Sequence, residues 1–136
     1  MYHLLVREFH EACDVAGNQP LTIEALERRA RLILEEAQEF FDATAELVAQ
    51  GANPRTTANW LKELADVEYV TAGAIHEFGI PFDEVFYLVH RSNMSKLGPD
   101  GKALKRADGK ILKGPHYQPP NLRAMVDVID GGELDT

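Results

Sequence analysis

Residues 22–51 read TIEALERRARLILEEAQEFFDATAELVAQG. Thr22 is a good N-cap, Gly51 is a stop signal, and no proline interrupts the stretch between them, so the pattern predicts one long helix ending near Gln50. At 100° per residue, Leu26, Ala30, Ile33, Leu34, Ala37, Phe40, Phe41 and Val48 fall in one apolar sector, the expected core face. Glu35, Glu36 and Glu39 occupy an arc of roughly 100° outside it. Leu32 lies between Glu36 and Glu39. A purely solvated stripe has little reason to include a leucine, so this side is expected to meet another surface.

The segment after Asn53-Pro54 repeats the arrangement. A helix is expected from near Thr56 or Thr57 to Phe78, terminated by Gly79 and Pro81. Trp60, Leu64, Val67, Ala74, Ile75 and Phe78 share its core sector, while Glu63 and Asp66 lie to one side with Val70 between them. Gly73, two turns beyond Asp66, leaves room for close approach. Upstream, a first helix is expected over Tyr2 to Val15, with Leu5, Phe9 and Ala12 on one face and Gly17-Asn18-Gln19-Pro20 ending it. Downstream, Asp83 opens a fourth that reaches about Lys96, before Gly98-Pro99. Four helices with short connections indicate an all-α four-helix bundle.

The remainder reads as an irregular C-terminal arm. Asp100-Gly101-Lys102 and Asp108-Gly109-Lys110 are turn signals around a small hairpin, and Gly114-Pro115 and Pro119-Pro120 keep the backbone extended or turned. Asn121 is a cap for a short last helix through Met125 to Ile129, and the Gly131-Gly132 end is expected to fray. The 136 residues suit a single domain, with a helical core over about 1–97 and the arm over about 98–136.

Charge narrows the function. The net charge of −8 argues against a nucleic-acid binder, and no apolar run is long enough for a bilayer. Met1 to His10 contains Arg7 and Glu8 and does not resemble a secretory signal, so a cytoplasmic location is the expectation. The one cysteine, Cys13, excludes an internal disulfide and is expected as a small buried thiol. The five histidines, His3, His10, His76, His90 and His116, have no zinc-like spacing. Residues 1–90 are strongly acidic, whereas residues 91–123 carry Lys and Arg with only Asp100 and Asp108 against them.

Residues three apart on a helix point the same way, so Glu35-Glu36-x-x-Glu39 and Glu63-x-x-Asp66 on facing helices would form an oxygen cage. Magnesium, or manganese in its place, takes such hard oxygen donors and leaves positions for water or phosphate. Alternatively these acids are solvated, or paired with Arg28, Arg29, Arg31 and Lys62. Asn18 or Gln19 could read a base edge and Trp60 or Phe9 could stack on it, although turn and core roles explain the same positions.

These two clusters resemble the signature of the MazG-like, all-α nucleoside triphosphate pyrophosphohydrolases, E-E-x-x-E on one helix and E-x-x-D on the next. Arg91-Ser92-Asn93-Met94-Ser95-Lys96-Leu97 is similar to their downstream N-x-x-K element. Lys113-Gly114-Pro115 with Tyr117 and Pro120 is similar to the tail of the branch related to dimeric dUTPases. The resemblance implies cleavage of a nucleoside triphosphate to monophosphate and pyrophosphate, with dUTP the first candidate. It implies that Glu36, Glu39, Glu63 and Asp66 hold magnesium and that Glu35 is a ligand or the base for the attacking water. It places Asn93 and Lys96 on phosphate, with Tyr117 or Lys113 closing over it. A homodimer, or a tetramer, is the expected assembly. Two other readings share the residues: a pyrophosphohydrolase acting on a phosphoribosyl substrate, and a non-enzymatic helical module that binds divalent cations or a protein partner.

Overall fold

The computed structural model describes residues 1–129. Its helices are α1 (Tyr2–Ala12), α2 (Ile23–Gln50), α3 (Pro54–Phe78), α4 (Phe82–Met94) and α5 (Arg123–Ile129), and the described residues contain no strand. The all-α expectation therefore holds. The chain divides into two compact units, Met1–Ile80 and Pro81–Thr136. Gly131-Gly132 lies outside the described residues. No described helix is long and apolar enough to cross a membrane.

Local chemistry accounts for the boundaries. Thr22 Oγ1 accepts from the Ala25 N–H at 3.2 Å, and Gly51, with φ 78°, ends α2 as expected. Helix α3 starts earlier than expected. Asn53 Oδ1 accepts from the Arg55 and Thr56 N–H groups at 3.0 Å, and Thr56 Oγ1 accepts from the Asn53 N–H at 3.1 Å. Pro54 then occupies the first turn, where its missing N–H costs nothing. Helix α1 stops at Ala12, short of Val15, because Asp14 turns into the left-handed region at φ 56°. Cys13, at that end, is exposed rather than buried.

In the first unit α2 and α3 form an antiparallel hairpin, and α1 packs on α3. Trp60 Nε1 donates to Thr44 Oγ1 at 3.0 Å, and Arg55 reaches Glu46 at 2.8 Å near the connection. The contact surface differs in part from the expected one: Trp60, Val67, Ala74, Ile75 and Phe78 of α3, with Ile33 and Phe40 of α2, are buried or half-buried as expected, and the departures lie elsewhere. Val6 and His10, not Leu5 and Phe9, are the buried positions of α1; on α2 they are Ala25 and Ala43. Leu34, Phe41 and Val48 are 70%, 67% and 80% exposed, and Leu26, Ala30, Ala37 and Leu64 are exposed with them. Small residues face inward because they let two helix backbones approach. Ala72, 1% exposed, and Gly73 do the same on α3. A Cβ on Gly73 would lie 2.8 Å from Arg29 Nη1 and 3.2 Å from His10 Cε1, so close approach occurs where expected.

At the far end of the hairpin a polar knot ties the three helices. The buried Glu77 carboxylate accepts from the guanidinium groups of both Arg28 and Arg29. His10 and His76 meet edge to face at 5.1 Å. Burial, then the positive charge of Arg29 and the neighbouring His76, holds His10 below its usual pKa, while Glu77 opposes the shift. A histidine with a lowered folded pKa contributes stability above its unfolded value, about 6.5, that is lost as pH falls through the folded value. Thermal unfolding midpoints should therefore decline on acidification below about pH 6.5, and His10→Gln should flatten that slope; parallel profiles would exclude His10 as its source.

The second unit carries α4, the arm and α5. Lys105 and Ile111 form an antiparallel bridge, with Leu112 N–H donating to Leu104 C=O at 2.7 Å, so the small hairpin exists. Gly109 turns it at φ 85°. Ser92 Oγ donates to Gln118 C=O at 2.8 Å, fastening the arm to α4, and Asn121 Oδ1 accepts from the Arg123 N–H at the start of α5.

Candidate active site

The antiparallel register brings the inward arc of α2 against α3. Glu36 and Glu39, one turn apart on α2, meet Glu63 of α3, with one carboxylate oxygen from each lying within 4.8 Å of the others. Glu63 is buried, Glu36 half-buried and Glu39 exposed, so the cluster opens to solvent on one side. Leu32 and Val70, which fall between the acids around their helix faces, are both half-buried. The side carrying Leu32 does meet another surface.

The electrostatics of the cluster fit a hard cation. Glu36 Oε2 is buried and has no hydrogen-bond partner, an uncommon state for a carboxylate oxygen. Burial is the main influence raising the Glu36 pKa; Glu39, Asp66 and Glu35 add repulsion that Lys62 offsets in part. Three mutually repelling oxygen donors, one without a donor partner, match a divalent ion that prefers oxygen. The cluster admits Mg2+ or Mn2+ through Glu36, Glu39 and Glu63.

The remaining acids stand differently. Asp66 lies beyond the three-carboxylate group, and its Oδ2 is 2.8 Å from Lys62 Nζ. Glu35 is exposed and also lies outside the group. The arginines considered as partners for these acids go elsewhere: Arg28 and Arg29 to Glu77, and Arg31 to Glu27 at 3.8 Å. An open groove of about 410 Å³ runs from Glu39 and Glu63 along Asp42, Ala43, Glu46 and Asn59. Asp42, Glu46 and Asn59 are not among the expected site residues. Extending the i, i+3 and i, i+4 face past Glu39, and back from Glu63, would have found them.

The other expected substrate contacts have local partners. Asn18, with φ 54°, sits against the C-terminal end of α3: a Cβ on Gly79 would come 2.2 Å from Asn18 Oδ1. Gly79 is 13 residues past Asp66, about 20 Å along a helix axis, so Asn18 is not brought to the acids. Gln19 Nε2 donates to Gly17 C=O, Trp60 packs on Phe40 at 5.4 Å, and Phe9 meets Tyr69 edge-on at 5.8 Å. In the second unit Lys96 Nζ donates to Asn93 Oδ1 at 2.7 Å, so these two side chains lie together at the end of α4. Lys113 Nζ lies 4.6 Å above the Tyr117 ring.

No curated protein matches the chain. Residues 6–93 match the family model described as phosphoribosyl-ATP pyrophosphohydrolase. The match takes in both acidic clusters and ends at Asn93, leaving Lys96, Tyr117 and the arm beyond it. With more than half of its residues covered, the chain belongs to the phosphoribosyl-ATP pyrophosphohydrolase family, of all-α, MazG-like type, and is by that membership a pyrophosphohydrolase.

Proposed function

We propose that the chain is a Mg2+-dependent nucleoside triphosphate pyrophosphohydrolase, with Mn2+ as a substitute, that converts dUTP to dUMP and pyrophosphate and clears unwanted triphosphates from the nucleotide pool. The carrying observation is the Glu36, Glu39 and Glu63 cluster with its unpartnered buried oxygen, found in a pyrophosphohydrolase chain. Water attacks the α-phosphorus, the bond from that phosphorus to the α–β bridging oxygen breaks, and pyrophosphate leaves with the electron pair. Glu36, Glu39 and Glu63 hold the ion, with Asp66 beside them. When bound, the ion lowers the pKa of water and draws charge from phosphoryl oxygens. Glu35, exposed beside Glu36, orients the attacking water and accepts its proton. Asn93 and Lys96 offer an amide and an ammonium to the outer phosphates.

Two considerations choose the substrate. The family match leaves the basic arm outside it, so the family name does not dictate what the arm recognises. The arm residues Lys113, Gly114, Pro115, Tyr117 and Pro120 resemble the dUTP-directed branch, which favours dUTP. The second reading, a phosphoribosyl-ATP substrate, is favoured by the match over residues 6–93. The reaction and the acids are the same in both.

Exposed Leu34, Phe41 and Val48 on α2 support a homodimer, with a tetramer as its extension. The acidic net charge gives no basis for nucleic-acid binding, and a cytoplasmic enzyme remains the proposal. The test is a panel of dUTP, the other deoxy- and ribonucleoside triphosphates and phosphoribosyl-ATP, assayed with Mg2+ and then Mn2+. The expected result is dUMP and pyrophosphate in equal amounts, with dUTP the best substrate. Preference for phosphoribosyl-ATP would replace the substrate and keep the reaction, whereas stepwise orthophosphate release would reject the reaction.

A further inference from the structure

Every carboxylate that the Lys62 ammonium touches belongs to the acidic site. Nζ lies 3.1 Å from each carboxylate oxygen of Glu63 and 2.8 Å from Oδ2 of Asp66. Helix geometry favours the Asp66 contact, since Lys62 precedes Asp66 by one turn, and the long lysine stem curls across to its sequence neighbour Glu63 as well. The partners differ in freedom. The Glu63 side chain is 10% exposed and fixed in the helix interface, while that of Lys62 is 60% exposed on a flexible stem. If one member of this pair moves, it is the lysine.

We propose that Lys62 is the displaceable counter-ion of the acidic site, holding Glu63 and Asp66 when no divalent ion is bound and leaving as one enters, so that it sets the metal concentration at which the site fills. The inference rests on the metal-dependent reading above. An ammonium hydrogen-bonded to Glu63 uses lone pairs that a divalent ion at Glu36, Glu39 and Glu63 requires, and the two cations repel at such separations. Asp66 carries the same mark: it stands outside the three-carboxylate group and is held by Lys62 instead. A lysine is a cation at neutral pH, so Lys62 competes with the metal as one positive charge against another. Lysine suits exchange, because a point charge on an unbranched stem releases more readily than the planar fork of an arginine.

The test is calorimetric titration of the whole chain with MgCl2 and MnCl2, without nucleotide and at constant ionic strength. It compares wild type, Lys62→Met and Lys62→Arg, with circular dichroism and thermal unfolding of each metal-free protein. Removing a largely exposed competing ion pair should tighten metal binding in Lys62→Met about fivefold. Its metal-free unfolding midpoint should fall towards one that added Mg2+ restores. Lys62→Arg should bind metal no more tightly than wild type. Unchanged or weaker binding in a folded Lys62→Met protein overturns the exchange while leaving the metal site standing. Absence of metal binding by the wild type overturns the metal-dependent reading itself, and the exchange with it.

Discussion

Glu36→Gln should reduce pyrophosphate release by about a thousandfold or more, the range expected when a charged group is removed from transition-state stabilisation in such a site. The same protein should unfold at or above the wild-type temperature when metal is absent. The two outcomes share one cause. Glu36 has a buried oxygen with no hydrogen-bond donor, and its carboxylate is opposed by burial and by Glu39, Asp66 and Glu35. An amide of the same shape keeps the packing, removes the repulsion and removes the anion. Loss of function with gain of stability separates a binding acid from a structural one, because a residue that merely held α2 to α3 would lower both. A continuous pyrophosphate-coupled assay and a thermal melt in chelator suffice. Activity within tenfold of wild type would show that Glu36 is not in the reacting site.

Local signals were legible in the sequence where one residue controls the outcome. Thr22 and Gly51 bound α2 as expected because a cap oxygen and a left-handed glycine act through their own backbone neighbourhood. The acids Glu36, Glu39 and Glu63 were legible for a related reason: helix periodicity alone puts Glu36 and Glu39 together, and a short connection makes the next helix antiparallel. Asn53-Pro54 was expected in the connection when it is the start of α3, since the Asn cap and the first-turn Pro are recognisable only once Thr56 completes the reciprocal bonds. The turn role of Asn18 was legible, but its contact was not. Its docking against Gly79 depends on a φ of 54° and a contact with residues far along the chain.

The larger error concerned the core, and its reason is physical. Helix α2 has two apolar arcs, one of large residues and one built on Ala25, Leu32 and Ala43, and hydrophobicity favours the first. Close packing of the α2–α3 hairpin favours the second, because alanine and glycine let backbones approach while acids from both helices reach one place. A wheel ranks arcs by hydrophobicity and has no knowledge of which partner is present. The arc of Leu26, Leu34, Phe41 and Val48 is the more apolar of the two, and yet it is exposed rather than packed in this hairpin.

That face leads to the second large effect: Leu34→Asp with Phe41→Asp should convert the proposed dimer or tetramer to a monomer. Ile23, Leu26, Ala30, Leu34, Ala37, Phe41 and Val48 lie within an arc of about 80° on α2, and all are exposed. Burying a large aliphatic or aromatic side chain fully is worth about 1.5–3 kcal/mol, so Leu34, Phe41 and Val48 together can drive association. Such a stripe along a 28-residue helix exceeds the scattered apolar surface normal for a monomer. A second copy related by a two-fold axis would meet it with the same stripe. Placing a carboxylate at two of its central positions leaves unpaired charge in that interface, a cost of several kcal/mol and so a weakening of about a thousandfold or more. Sedimentation equilibrium at micromolar concentration should give wild type a multiple of 15.2 kDa and the double mutant that mass alone. Because the stripe lies on the side of α2 turned away from Glu36 and Glu39, the mutant hairpin should keep its helical spectrum. A wild-type mass of one chain across that range would remove the homodimer and leave the exposed stripe to be covered by a different protein.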